Sequence, residues 1–174
     1  MRQHQSTVLP IAWISLRILI ILNWIYGALI LAMLLATFAN EAWFKRAIEV
    51  PASTDVQGIM VGLRAIAALG LVSIPFNHMI LKRLLRIVDT VRRGDPFVAA
   101  NAYRLQAIAW ALLALQVLSM VIGGIGKAIS SKEFPLHLDA GFSISGWLAV
   151  ILMFVLARVF AEGTLMREDL EGTI

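Results

Sequence analysis

The chain has 174 residues, 60% of them hydrophobic and 15% charged, against about 45–50% and about 25% in an average soluble domain. A soluble fold of this length keeps more polar surface, so the apolar surplus must face something other than water, and lipid is the solvent that suits it. The formal charge is +4 and there is no cysteine, which excludes disulfides, thiolate metal sites and cysteine nucleophiles.

A helix crosses about 30 Å of hydrocarbon with about 20 mainly apolar residues. Four stretches meet that test in chain order: 18–39, 58–81, 107–126 and 142–161. Only Asn23 and Thr37 interrupt the first, whereas the second carries Arg64, Pro75, Asn77 and His78. No alternating strand pattern competes with them, and an open sheet in lipid leaves backbone groups unpaired. The expected fold is therefore all-α, a single integral membrane domain over 1–174 built as an antiparallel four-helix bundle. The first stretch follows Arg2 and ends at the small Ala39, but its apolar run is longer than that of a cleaved signal peptide, about 7–15 residues. It is read as a retained anchor.

Orientation follows from Lys and Arg beside the spans. The middle segment holds Lys82, Arg83, Arg86, Arg92, Arg93 and Arg104, and the first side adds Arg2 and Arg17; the other loops hold Lys45, Arg46, Lys127 and Lys132. Eight against four places segment 82–106 in the cytoplasm, with both termini and the tail 162–174 on the same side. Trp13 and Trp110 fit an inner interface, and Trp43 and Trp147 an outer one; Trp24 has no place in this frame. The pI near 10 follows from these juxtamembrane cations, so direct nucleic-acid binding is not expected.

Leu81, Leu84, Leu85, Val88 and Val91 recur at helical spacing among the cations of the middle segment. The second span is expected to run on into an amphipathic helix ended by Gly94, with Asp95 as N-cap and Pro96 as first residue of the next helix. Phe97, Asn101 and Arg104 then precede membrane entry near Ala107. This hairpin is either a structural elbow or a docking surface for a soluble partner, and composition does not separate the two. At the other end, Trp43, Phe44, Ala47 and Ile48 suggest a short interfacial helix before Pro51, and 53–55 a connector.

The segment Val91-Arg92-Arg93-Gly94-Asp95-Pro96-Phe97, followed by Asn101, Arg104 and Leu105, is similar to the signature of a bacterial membrane family, domain of unknown function 2975. The stretch from Leu156 to Gly163, with Arg167, Glu168, Asp169 and the closing Gly172-Thr173-Ile174, resembles that family's tail. The specific resemblance covers roughly the last half of the chain, and Gln106 and Ala109 depart from it where members place a basic residue and a glycine. It implies four spans in a bacterial inner membrane and frequent encoding beside a small helix-turn-helix regulator. It implies no reaction, cofactor or catalytic residue.

Among the polar residues in spans, Arg64 is expected to snorkel or to pair with Asp55, Glu133 or Asp139, with a role in ion or substrate passage as the alternative. Asn23 and Gln116 are explained by interhelical hydrogen bonds. Gly58 and Gly62 form a small-xxx-small pair expected to pack inside the bundle, and Pro75 with Asn77 is expected to kink its helix. His4, His78 and His137 fall at different depths and suggest no metal site; no hydrolase or nucleotide-binding motif is present. In the tail, Glu162, Glu168, Asp169 and Glu171 are expected to attract the basic hairpin across the cytoplasmic mouth.

The sequence thus favours a noncatalytic regulatory or scaffold membrane protein without cofactor or metal. Its expected partners are the lipid bilayer, a helix-turn-helix regulator and, as a further option, a second copy of the chain. The candidate partner surface comprises Arg83, Arg86, Arg92, Arg93, Asp95, Phe97, Asn101, Arg104, Glu162, Glu168 and Asp169. The alternative is a small transporter or channel using an intramembrane polar site of Arg64, Asn23 and Gln116.

Overall fold

The computed structural model describes residues 8–39, 56–131, 135–136 and 138–171, the side chains of 168, 170 and 171 excepted. The expected interfacial helix at 43–48, the connector 53–55, Arg2, His4, Lys45, Arg46, Lys132, Glu133, His137 and the Glu168 side chain lie outside these described residues. Among the described residues the chain is all-α, with four helices and no strand. They are α1 Val8–Ala39, α2 Val56–Arg92, α3 Ala99–Ile129 and α4 Ile144–Glu171.

Every helix is longer than its apolar stretch. At about 1.5 Å per residue the 37 residues of α2 reach about 55 Å, well beyond a bilayer's hydrocarbon. The predicted continuation of the second span past Leu81 is therefore present, and α2 runs unbroken through Pro75. Added length falls mostly at the hairpin end: α1 starts ten residues before Ile18, and α4 carries the tail as helix to Glu171.

Helices pack in chain order, α1 on α2, α2 on α3 and α3 on α4, with no other pair making more than a marginal contact. The pairs run antiparallel: Asn23 meets Ile74 while Thr37 meets Arg64, and Asn101 meets Thr90 while Ile129 meets Gly62. Gly62 thus serves packing against α3, where a Cβ would lie 2.5 Å from Ile129 Cγ2. The core is thin, centred on Met60, Leu105, Ile108 and Ala109. Only Gly27 and Thr37 of α1 are buried, leaving Ile18, Leu22, Ile25, Leu29 and Phe38 among its exposed apolar residues. A helix apolar on all sides yet buried on one narrow face is solvated by lipid, and four such helices long enough to span mark a multi-pass membrane protein.

Two expected starts differ. Asp95 and Pro96 do not open α3, because the chain first closes α2: Gly94 N donates to Val91 O and Asp95 N to Thr90 O, with Gly94 at φ +83°. That is a Schellman turn, in which a left-handed glycine satisfies the last carbonyls. The Asp95 carboxylate turns to Arg167, and extended Val98 precedes the first helical residue Ala99. Likewise α4 starts at Ile144 rather than 142, since Ser143 Oγ accepts the Gly146 N–H at 3.1 Å as an N-cap does.

Candidate functional site at the hairpin end

Asn101 is fully buried one turn into α3, facing the last turn of α2. Its Nδ2 donates to Thr90 Oγ1 at 2.7 Å and to Pro96 O at 2.9 Å, and its Oδ1 accepts from Arg104 Nη1 at 2.7 Å. Thr90 in turn donates to Ile87 O at 2.7 Å. One amide therefore ties together both helices, the intervening loop and an arginine. It is a strut inside the hairpin rather than a surface a partner can touch.

The tail helix docks against this frame. Phe97 packs on Phe160 with ring centroids 5.3 Å apart and lies on Gly163, where a Cβ would meet its ring at 3.0 Å. Arg167 forms an ion pair with Asp95. This tail contact joins a tail arginine to a hairpin aspartate, while the side chains of Glu168 and Glu171, expected to attract the basic hairpin, lie outside the described residues. Glu162 pairs instead within α4, accepting from Arg158 Nε at 2.8 Å, and Asp169 is exposed on α4. Beside the docked tail, Tyr103, Gln106, Phe154 and Arg158 line a cavity of about 470 Å³ between α3 and α4. Because Asp95 and Arg167 are both half-exposed, Asp95→Asn is expected to lower stability by only about 0–1 kcal/mol, measured by denaturant titration in micelles, with Phe97 still holding the tail.

Arg83, Arg86 and Thr90 of α2, with Arg93 just past its end, recur at spacings of three and four on one side, opposite Asn101 and Arg104. Partial burial, followed by repulsion from Arg86, Arg93 and Arg83, pulls Arg104 below the ordinary arginine pKa; this residue precedes the apolar stretch 107–126. The charges acting on it are all of its own sign. None of Arg83, Arg86, Arg93 and Arg104 forms an ion pair among the described residues. Arg92 points elsewhere: with Arg17 it brackets Trp13 of α1, at 5.5 and 3.8 Å from guanidinium to ring centroid. The sequence-predicted surface is therefore three places, an arginine stripe, a tail-docking contact and an α1 contact. Thr90, Phe160, Gly163 and Trp13 complete them; only the pairing of residues distant in sequence identifies these roles.

The match to one family's model covers residues 36–174, from the end of α1 onward and so well beyond the last half. The chain belongs to the DUF2975 family, proteins of unknown function. Neither a curated protein nor a solved structure matches it. In this DUF2975 chain the segment Val91–Phe97 with Asn101 and Arg104, which carried the resemblance, folds into the Schellman turn, the buried amide and the tail-docking ring.

The polar residues of the spans do not converge. Asn23 Nδ2 donates to Ile74 O at 3.2 Å near Pro75, and Arg64 is bonded to Thr37. Gln116 packs closely on Gly146 but its buried Nε2 has no hydrogen-bond partner among the described residues, so packing and not the expected interhelical hydrogen bond accounts for its place. Trp24, without a place in the interfacial frame, donates its Nε1 to His78 Nδ1 at 3.2 Å. These are separate interhelical contacts at different levels, and no polar path links Arg64, Asn23 and Gln116 among the described residues.

Proposed function

We propose that this chain is a noncatalytic regulatory or scaffold protein of the bacterial cytoplasmic membrane, with its hairpin and both termini in the cytoplasm, and that it captures a small helix-turn-helix regulator on the hairpin face. The observation that carries the reading is the stripe Arg83, Arg86, Arg93 and Arg104. Four cations sit on a braced frame without an ion-pair partner among the described residues, while Asp95 and Glu162 are engaged elsewhere. A fixed unneutralised patch favours an acidic partner surface, which it steers and orients electrostatically. The excess of Lys and Arg around the hairpin supports the orientation, and the gene context implied by the family supports the class of partner.

The test is affinity purification from gently solubilised native membranes. A helix-turn-helix protein is expected to copurify, to dissociate as salt is raised, and to be lost from the triple variant Arg83→Glu, Arg86→Glu, Arg93→Glu; retention by that variant refutes the stripe as the docking surface. Because the natural chain has no cysteine, one cysteine at position 86 reports sidedness cleanly. Labelling by an impermeant thiol reagent in sealed cells would place the hairpin outside and end this reading.

A further inference from the structure

Toward the end of the helices opposite the hairpin, α1 and α2, with Ile122 of α3 and Leu138 of the connection before α4, border a second cavity of about 380 Å³. Its walls are Ile30, Met33 and Leu34 of α1 and Ile66, Ala67 and Gly70 of α2, with Arg64 at one side. The volume lies in the range of about 300–1,000 Å³ usual for ligand sites, and a mostly apolar lining with a few placed polar groups, here Arg64, Thr37, Ser73 and Tyr26, is their usual chemistry. Tyr26 and Met33, which also border it, are 60% and 59% exposed, so the cavity opens sideways onto the lipid-facing side of α1.

Arg64 is held in place by the last turn of α1. Its Nε donates to Thr37 Oγ1 at 3.3 Å and its Nη2 to Thr37 O at 2.7 Å, and the guanidinium lies 4.2 Å from the Phe38 ring centroid. Each of these partners is neutral. The Thr37 hydroxyl is itself spent on Leu34 O at 2.6 Å, and Arg64 forms no ion pair among the described residues, with Asp139 or any other carboxylate. A guanidinium facing mostly apolar walls, without a counter-ion among the described residues, favours an anion there, and arginine matches phosphate oxygens with paired N–H donors. Thr37 lies two residues before the end of α1, a level that in a spanning helix falls near the headgroups.

We propose that this cavity is a lateral binding site for an anionic phospholipid, with the phosphate on Arg64 and one acyl chain lying between α1 and α2. A free inorganic phosphate leaves the apolar walls unused, and a lipid without net charge leaves Arg64 uncompensated.

The test is native mass spectrometry of protein released from nanodiscs of phosphatidylcholine containing a minor fraction of phosphatidylglycerol. Wild type is expected to retain one phosphatidylglycerol molecule that Arg64→Gln loses, the occupancy falling about tenfold, as expected for one charge-assisted contact. Cations at the hairpin end are common to both proteins, so the difference isolates this site. Arg64→Lys is expected to keep part of the retention, and Ala67→Phe, which fills the cavity but leaves the charge, to lose it. Equal retention by wild type and Arg64→Gln overturns the proposal, as does displacement of the lipid by oleate at equal concentration, which would make the occupant a fatty acid.

Discussion

Replacing Asn101 by alanine is expected to cost about 2–4 kcal/mol of stability and to loosen the hairpin without unwinding the helices around it. The side chain is fully buried and makes three hydrogen bonds, two as donor and one as acceptor. Truncation leaves the buried Thr90 Oγ1 without this donor, at about 1–3 kcal/mol for a stranded buried group, and removes a partner from the part-buried Pro96 carbonyl and Arg104 Nη1 at lower cost. A cavity adds to the loss, because Thr90 and Leu105 beside it are themselves buried. Asn101→Asp separates the contributions: it restores an acceptor for Arg104 but sets a carboxylate against the Pro96 carbonyl, so it should recover only part of the loss. Denaturant titration in mixed micelles measures the cost, and faster amide exchange at Gly94 and Asp95, whose N–H groups close α2, locates it. A loss below about 0.5 kcal/mol, the range of inert surface changes, would show that the loop is held by other contacts. Because the arginine stripe rests on this brace, Asn101→Ala should also weaken capture of the regulator proposed above, although the residue is buried away from the surface.

The spans were legible because lipid imposes a one-dimensional requirement, an apolar run of fixed length, that Ile18–Ala39 or Ala107–Gly126 satisfies without knowledge of any neighbour. Gly94 was legible for a similar reason, since its left-handed conformation is local. Asp95 was not. Asp-Pro reads as cap and first turn, yet a carboxylate has one geometry at a time, and Arg167, 72 residues away, competes for it. The Arg167 contact was hidden for the same reason: the tail's acidic residues outnumber its arginine, and Arg167 comes alongside Asp95 only because Phe97 seats on Gly163. Asn101 stood out only as part of a motif, and its role as a strut needed Thr90, a residue with no sequence signal of its own. Arg64 stands out in the sequence by the cost of a charge in a span, whereas nothing local marks Thr37 as its partner.

Neighbouring glycines in α3 are expected to respond with opposite signs. Gly123 is buried, and a Cβ built on it would lie 2.6 Å from Ala140 O, 2.7 Å from Gly141 Cα and 2.8 Å from Ala140 C. These are backbone atoms, so no rotamer change relieves the clash. Gly123→Ala must push the connection before α4 away from α3, losing the bond from Gly141 N to Ser119 Oγ at 3.1 Å. Overpacking of this kind costs about 1–3 kcal/mol, beyond the helix-propensity gain of about 1 kcal/mol that alanine brings over glycine. Gly124 is exposed, with nothing within 4 Å of its built Cβ; Gly124→Ala keeps the propensity gain alone and should stabilise. The displacement in Gly123→Ala also reaches α4, since the same connection sets Ser143 as its N-cap and aligns Gly146 against Gln116. Thermal unfolding of the two variants in one detergent decides the matter. Equal shifts of the same sign would mean that the connection yields freely, and the close approach at Gly123 would then contribute little to holding α4 on α3.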